Sequence, residues 1–203
     1  MANTNNVSTG KPKIGGAIFV GYDGVAVPKD AKSELTGFKE LGYVSDDGLT
    51  NPNSSDSDKI KAWGGDTVLV ISKGKEDELK FKLIEVMNID VLKYVYGEEN
   101  VSGTLETGIV LKSNSKPKKS HTLVIDMVYQ GGVMKRIVAP NAIIQEMDDI
   151  EYTDEDAVGY AVTVSCLPDT EGNNHYEYIV KKGDKEWLME KLKVVLSTAL
   201  MKM

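Results

Sequence analysis

The sequence predicts a mainly β protein: a β-sandwich with one flanking α-helix, a long loop and an added C-terminal helix. Apolar residues recur mostly at every second position in short segments, which is the period of a half-buried strand. Turn-forming residues such as glycine, proline and asparagine separate these segments. Only one central segment has clear helical spacing, and many short strands around one helix are typical of a sandwich or a small barrel.

The predicted strands follow one another along the chain at 14–22, 67–72, 78–86, 120–130, 133–140, 141–147, 156–167 and 175–181. A turn over 73–77 joins the second strand to the third. Gly131 and Gly132 favour a two-residue hairpin turn, since glycine adopts positive φ freely. The last two strands are expected to pair with each other around the loop 168–174.

Helical spacing marks the segment 88–97 and the C-terminal segment 184–203. In the first segment Asn88 is a suitable N-cap and Gly97 a suitable stop. A weaker helix is predicted over 28–41. The apolar positions that share one face are Ile89, Leu92 and Val95 in the first segment, and Leu188, Leu192, Val195 and Ala199 in the second.

The chain is expected to form one domain over 14–183, preceded by an N-terminal arm (1–13) and followed by the C-terminal helix. It has 203 residues, 41% of them hydrophobic, which is enough for a sizeable core. The single cysteine, Cys166, excludes an intrachain disulfide. No apolar run approaches the ~20 residues of a membrane helix, and no membrane association is expected.

A polar stretch at 42–66 has no sustained period and is too long for an ordinary connection. It is interpreted as a solvated or partner-contacting loop. An EF-hand-type calcium loop requires glutamate at its twelfth position, and counting from Asp56 or from Asp46 that position holds threonine or serine. The residues expected to contact a partner are Tyr43, Asp46, Asp47, Asp56, Asp58, Ile60 and Trp63.

Catalytic chemistry is not indicated. Cys166 and His175 flank one predicted hairpin, but Cys166 lies on the apolar side of its strand, where a thiol behaves as an inert hydrophobe. The glycines near the N-terminus do not form a dinucleotide-binding motif. Neither an enzyme activity, nor a cofactor, nor a metal is therefore expected.

Two charged segments remain, a basic one at 112–120 and an acidic one at 146–156. Each is interpreted as a solvated loop, with the alternative that the two meet across a subunit boundary. The net charge of −7 argues against a protein that gains affinity by neutralising DNA phosphates.

Five segments in order resemble the major tail protein of long, non-contractile-tailed bacteriophages, above all those of phages that infect Gram-positive bacteria. The segments are LGYVSDDGLT, KIKAWGGDTV, FKLIEVMNIDVLKYVYG, VIDMVYQGGVMKRIVAPNA and GYAVTVSCLPDTEGNNHYEYI. The resemblance covers roughly 14–181 and leaves the C-terminal helix outside.

The resemblance implies a tail-tube fold and a structural role in the virion, after synthesis in the bacterial host cytoplasm. Six copies would form a ring, and stacked rings would surround the tape measure protein and later conduct DNA without specific binding. Tail terminator and distal tail or baseplate proteins would be further partners. The loop 42–66 occupies the place of a loop that packs on neighbouring subunits, with Trp63 as its anchor.

Two other functions remain open. The chain could be a monomeric β-sandwich module that binds carbohydrate on a cell surface, although aromatic residues make up only 7% of it. It could also be the tube subunit of a contractile injection system of the type VI kind.

Overall fold

The computed structural model describes residues 2–13 and 16–181. The predicted C-terminal helix, 184–203, lies outside the described residues. The elements in chain order are β1 Lys11–Pro12, β2 Ile18–Gly21, β3 Lys39–Glu40, β4 Val44–Thr50, β5 Asn53–Lys61, β6 Thr67–Leu83, α1 Ile89–Tyr96, β7 Val101–Ser102, β8 Val110–Leu111, β9 His121–Tyr129, β10 Val133–Met147, β11 Tyr160–Leu167 and β12 Tyr176–Lys181. The predicted fold class, mainly β with one α-helix in the body, is confirmed.

Strand β10 organises the sheet because it pairs with three other strands. Residues 133–138 pair with β9 on one edge and with β12 on the other, whereas residues 141–147 pair with β11. The register shifts between Ala139 and Ala142, beside Pro140, which has no amide proton to donate to a sheet. The separate strand predicted over 141–147 is therefore wrong, since the chain passes this irregularity as one strand.

Strands β11 and β12 lie end to end along the same edge of β10. Leu167 pairs with Asn141 and Tyr176 pairs with Val138, so residues 168–175 form an excursion between two segments of one edge. The predicted pairing of these two strands with each other is wrong. β10 has fifteen residues and is long enough to pair with both strands along one edge. The alternation of apolar residues within each strand does not indicate which distant strand it pairs with.

One hydrophobic core lies between the sheet and helix α1. Asn88 caps α1 by accepting a hydrogen bond from the amide of Asp90 at 3.0 Å, and Gly97 ends the helix with φ of 99°. The helix and both its ends are therefore as predicted. The buried helix residues are Val91, Leu92, Tyr94 and Val95, and they belong to the same cluster as Ile125, Ile137, Phe81 and Val164.

A buried ion pair fastens the connection 23–38 to the outer face of the sheet. Arg136 donates two hydrogen bonds to the carboxylate of Asp126, at 2.7 and 2.8 Å, and both side chains are at most 3% exposed. The same guanidinium donates to the carbonyl oxygens of Asp30 and Ser33. Because these carbonyls accept hydrogen bonds from Arg136, they are not part of a helical backbone hydrogen-bond pattern. The helix predicted over 28–41 is absent.

Local turn chemistry supports the same connection. The Ser33 hydroxyl and the amides of Ser33 and Lys32 donate to the Asp30 carboxylate, which holds the pKa of Asp30 at about 2. An aspartate that binds the following amides favours a turn over the interior of a helix.

The predicted turns need two further corrections. Strand β6 runs without interruption from Thr67 to Leu83, so the turn expected over 73–77 is wrong. Its glycine and charged residues resemble a turn, but they pair with β5. The β9–β10 connection has three residues, Gln130–Gly132, instead of two, because Tyr129 pairs directly with Val133.

Replacing Asp126 with alanine should reduce the free energy of unfolding by about 3–5 kcal/mol, because it leaves the buried Arg136 guanidinium without its counter-charge. Urea denaturation of the purified chain measures the loss. Lys80→Ala is the control, since it removes an ion pair between Lys80 and Glu78 in which the lysine is half exposed, and it should cost about 1 kcal/mol or less. Equal losses in the two variants would show that the buried pair does not anchor the connection.

Candidate assembly surface

The stretch 42–66, interpreted as a loop, forms strand β4, strand β5 and a turn. From Asn53 it is part of a β-hairpin that we call the arm, residues 53–77. Strand β5 pairs with the first part of β6, from Asn53 opposite Asp77 to Lys61 opposite Thr67. From Glu78 onward β6 instead pairs with β11 in the body of the protein. In the described part of the chain, no third strand pairs with the arm.

Glycine closes the tip of the arm. Gly64 and Gly65 have φ of 118° and 100°, values that side chains strongly disfavour. The amide of Ala62 donates to the carbonyl of Asp66 at 2.8 Å, and this bond completes the turn. Thr67–Ile71 is rich in β-branched residues, which favour the extended conformation of β6.

Exposed apolar residues occupy both faces of the arm. Side chains directly opposite on two paired strands share a face, and neighbours along one strand alternate between faces. Ile60 pairs with Leu69, so these two residues and Ile71 lie on one face, while Val70, opposite Lys59, lies on the other. Val68 is the extra residue of β6 where the register shifts between Ile60 and Lys61. All five side chains are between 44% and 61% exposed.

Two of the predicted contact residues belong to this surface. Ile60 lies on β5, and Trp63 lies in the turn at the tip, where its side chain is fully exposed. Between these two residues the chain leaves strand β5 and enters the turn. That Trp63 anchors this stretch on a neighbouring subunit stays a prediction.

The other predicted contact residues are distributed between the arm and the body. Asp56 and Asp58 are on β5, opposite Gly74 and Ile71. Asp46 and Asp47 are exposed on β4, where the register shifts between Val44 and Leu49.

Tyr43 lies just before β4 and is held there by its backbone. Its amide donates to the carboxylate of Glu85 at 2.9 Å, and its carbonyl accepts from the amide of Ile84 at 3.1 Å. Its side chain remains largely exposed.

The residues that sequence reasoning missed are the four apolar ones at 68–71. Their composition predicts a strand, and a strand of this kind is normally buried. One signal in the sequence could have revealed their exposure. A short glycine turn precedes this strand, so its nearest pairing partner is the polar segment on the other side of that turn, and such a pair has no apolar partner strand to bury it.

Other polar groups of the body serve the fold. Lys118 of the basic segment donates to the carbonyl of Val95 at 2.7 Å near the end of α1, and burial lowers its pKa. Lys118 is exposed, as the solvated segment predicted, but its amino group is held against the end of α1. Cys166 is buried as predicted, and burial raises the pKa of its thiol to about 12.

A cavity of about 150 Å³ lies beside α1 and is lined by Tyr94 and His121, among others. The Tyr94 hydroxyl and His121 Nδ1 are buried without a protein partner, as is the hydroxyl of Tyr22, whose ring packs edge-on against His121. Burial lowers the pKa of His121 and raises that of Tyr94. A cavity with polar atoms of this kind suits ordered water.

Within residues 2–13 and 16–181, no group of three or more acidic, histidine or cysteine side chains is arranged to hold a metal ion. None of the helices in those ranges has the length and apolar character needed to cross a membrane.

Comparisons with known proteins place the chain in a family. The solved structures similar to the chain include two at low sequence identity. One is an extracellular contractile injection system, the PVC sheath–tube complex in the extended state, with 8% identity over 84% of this chain and 93% of the other, and a TM-score of 0.40. The other is the 6-fold symmetrised baseplate of the anti-feeding prophage, with 12% identity over 82% and 95%, and a TM-score of 0.38.

No curated protein sequence matches the chain. A sequence model of the phage tail tube protein family matches residues 1–189. Because this match spans nearly the whole chain, the protein belongs to the phage tail tube protein family and is a structural subunit of a phage tail tube.

Proposed function

We propose that the chain assembles into stacked homohexameric rings that form the tail tube of a phage with a long, non-contractile tail, whose host is a Gram-positive bacterium. The arm supports the assembly of copies, while the ring of six, the tail type and the host follow from the resemblance of the five sequence segments. The arm extends from the body as two strands with apolar side chains on both faces. Within one subunit, the apolar side chains on both faces remain partly exposed to solvent.

A two-stranded ribbon has little stability of its own in water. The arm is therefore expected to be ordered by a surface that covers it, and in a polymer that surface is a neighbouring copy. Burying the exposed half of each apolar side chain contributes roughly 1 kcal/mol. Five such residues and Trp63 together provide enough free energy to decide between a soluble subunit and a polymer.

Closure into a ring requires a head-to-tail contact between two different surfaces of each copy, and stacking requires another pair of surfaces. Strand β12 pairs only with β10 among the described strands, so its second edge offers unpaired backbone groups. An edge of this kind accepts a strand from another chain. We assign the ring contact to such edges and the stacking contact to the arm.

The net charge suits a conduit for DNA. Six chains with a net charge of −7 each give one ring a net formal charge of −42. A negative lumen would repel the phosphates and let DNA slide without specific binding. The seven acidic residues of the segment 146–156 are exposed and can contribute to this potential. The tube would enclose the tape measure protein, meet tail terminator and distal tail or baseplate proteins at its ends, and form from chains made in the host cytoplasm.

Negative-stain electron microscopy of the concentrated, full-length chain is expected to show rings or tubes of uniform diameter. In sedimentation experiments, increasing the protein concentration should shift the chain from monomers to large assemblies. A chain that stays monomeric at every concentration, and also in the presence of its phage's other tail proteins, would contradict the proposal. Binding of that monomer to a glycan array would instead support the carbohydrate-binding function.

Leu69→Lys and Trp63→Ala should each abolish or strongly weaken tube formation, because they remove apolar contacts from the arm. Both positions are exposed in the single subunit, so the free energy of unfolding should change by only about 0.5 kcal/mol. Leu105→Lys is the matched control, since Leu105 is an exposed leucine away from the arm. Tubes from the arm variants with the same yield as from the control would show that the arm does not form the contact.

A further inference from the structure

A cluster of polar side chains lies where the arm leaves the body. Asp77 is the last arm residue of β6, and its side chain is 3% exposed. Its carboxylate accepts a hydrogen bond from Asn51 Nδ2 at 3.0 Å and contacts His175 Nδ1 at 2.5 Å. Asn51 Nδ2 also donates to the carbonyl of Glu78 at 2.6 Å.

These three side chains come from three different parts of the chain. Asn51 precedes β5, Asp77 belongs to β6, and His175 ends the excursion 168–175. The cluster therefore joins both strands of the arm to the body. It lies at the residue pair where β6 changes its partner from β5 to β11.

The excursion that carries His175 is braced internally. The Asp169 carboxylate accepts hydrogen bonds from the amide of Asn173 at 3.0 Å and from the Tyr176 hydroxyl at 2.7 Å. Asn174 Nδ2 donates to the carbonyl of Cys166 at 2.9 Å. His175 is thus held by a fixed support and does not sit at the end of a free loop.

The charged groups around His175 belong to two strands. Asp77 lies on β6, and Glu177 on β12 has its Oε1 4.0 Å from His175 Nε2. Lys135 on β10 neutralises Glu177 with an Nζ–Oε1 distance of 2.7 Å. Among the contacts described, no lysine or arginine side chain pairs with Asp77, so its carboxylate is held by Asn51 and His175.

A small rotation at this point moves the tip of the arm a long way. Nine residues of β5 and the turn extend roughly 30 Å at ~3.3 Å per residue. A change of about 10° at the root would displace Trp63 by about 5 Å, which is more than the tolerance of a packed interface. The two strands alone cannot fix this angle, because a two-stranded ribbon twists and bends easily.

We propose that Asp77, His175 and Asn51 form an anchor that sets the direction in which the arm leaves the body, and that this direction is required for docking on the next copy. The second part rests on the proposed tube assembly. Asp77 and His175 are positioning residues, since neither lies on the apolar surface of the arm.

The test measures the direction of the arm in the single subunit. Spin labels at Asp66→Cys, at the tip, and Glu155→Cys, on an exposed part of the body, report one distance by pulsed electron paramagnetic resonance. The native Cys166 can remain, because it is buried and its thiol has a raised pKa. The full chain is measured below its assembly concentration.

The unmodified anchor should give one narrow distance distribution. Asp77→Asn and His175→Ala should broaden it, and His175→Asn should restore most of it, because the asparagine amide can donate from nearly the same position as Nδ1. Thr170→Ala, an exposed position in the same excursion, is the matched control and should change nothing. Unchanged distributions in both Asp77→Asn and His175→Ala would overturn the anchor.

Assembly is measured on the same variants without labels. Asp77→Asn and His175→Ala should raise the concentration for half-assembly about tenfold or more, the effect expected from losing a charge-assisted contact. Normal assembly with a broadened distance would show that the anchor sets the direction but that docking does not require it. An unmodified chain that forms no tubes would refute the proposed function, while the distance measurement would still decide the anchor.

Discussion

Strand β6 extends beyond the sheet of the body, and its projecting part needs a pairing partner of its own. This constraint determines the structure of the arm. The last six residues of β6, from Glu78, pair with β11 and place Leu79, Phe81 and Leu83 in the core, whereas its first eleven have only β5 beside them. A strand that continues past its sheet must take a partner from its own chain or leave its backbone groups to water. The segment 53–61 supplies that partner, and the result is an arm instead of a loop.

The body and the arm are therefore stabilised by different means. The body has one apolar core closed by helix α1, and its outer face is fastened by the buried pair of Arg136 and Asp126. The arm has backbone hydrogen bonds between two strands and an anchor at its root, but no core. Substitutions at 68–71 should for this reason change contacts between copies while leaving the folded body intact. Substitutions in the core should instead lower the stability of the body without removing contact residues from the arm.

The sequence predicted those features that depend on short-range interactions. Helix α1 follows from apolar spacing, a capping asparagine and a terminal glycine, all within ten residues. Strand β9 follows from alternation at 120–130. The arm could not be predicted in the same way, because the residues of β5 are almost all polar and form a strand only through pairing with β6. The position of β12 beside β10 is equally non-local, and Asp77 and His175 meet across 98 residues of sequence.

The polar character of β5 also has a physical reason. A subunit that exposes an apolar edge strand before assembly would pair with other chains at random. On the arm, the apolar residues of β6 are paired along one edge with a strand that carries Asp58 and Lys59. The register between the two strands shifts twice, each time with one extra residue on β6, so the ribbon is not flat. Charged side chains and bulges both discourage unspecific strand pairing. The arm can thus keep apolar side chains on its faces for a specific surface, while its β5 edge remains a poor template for aggregation.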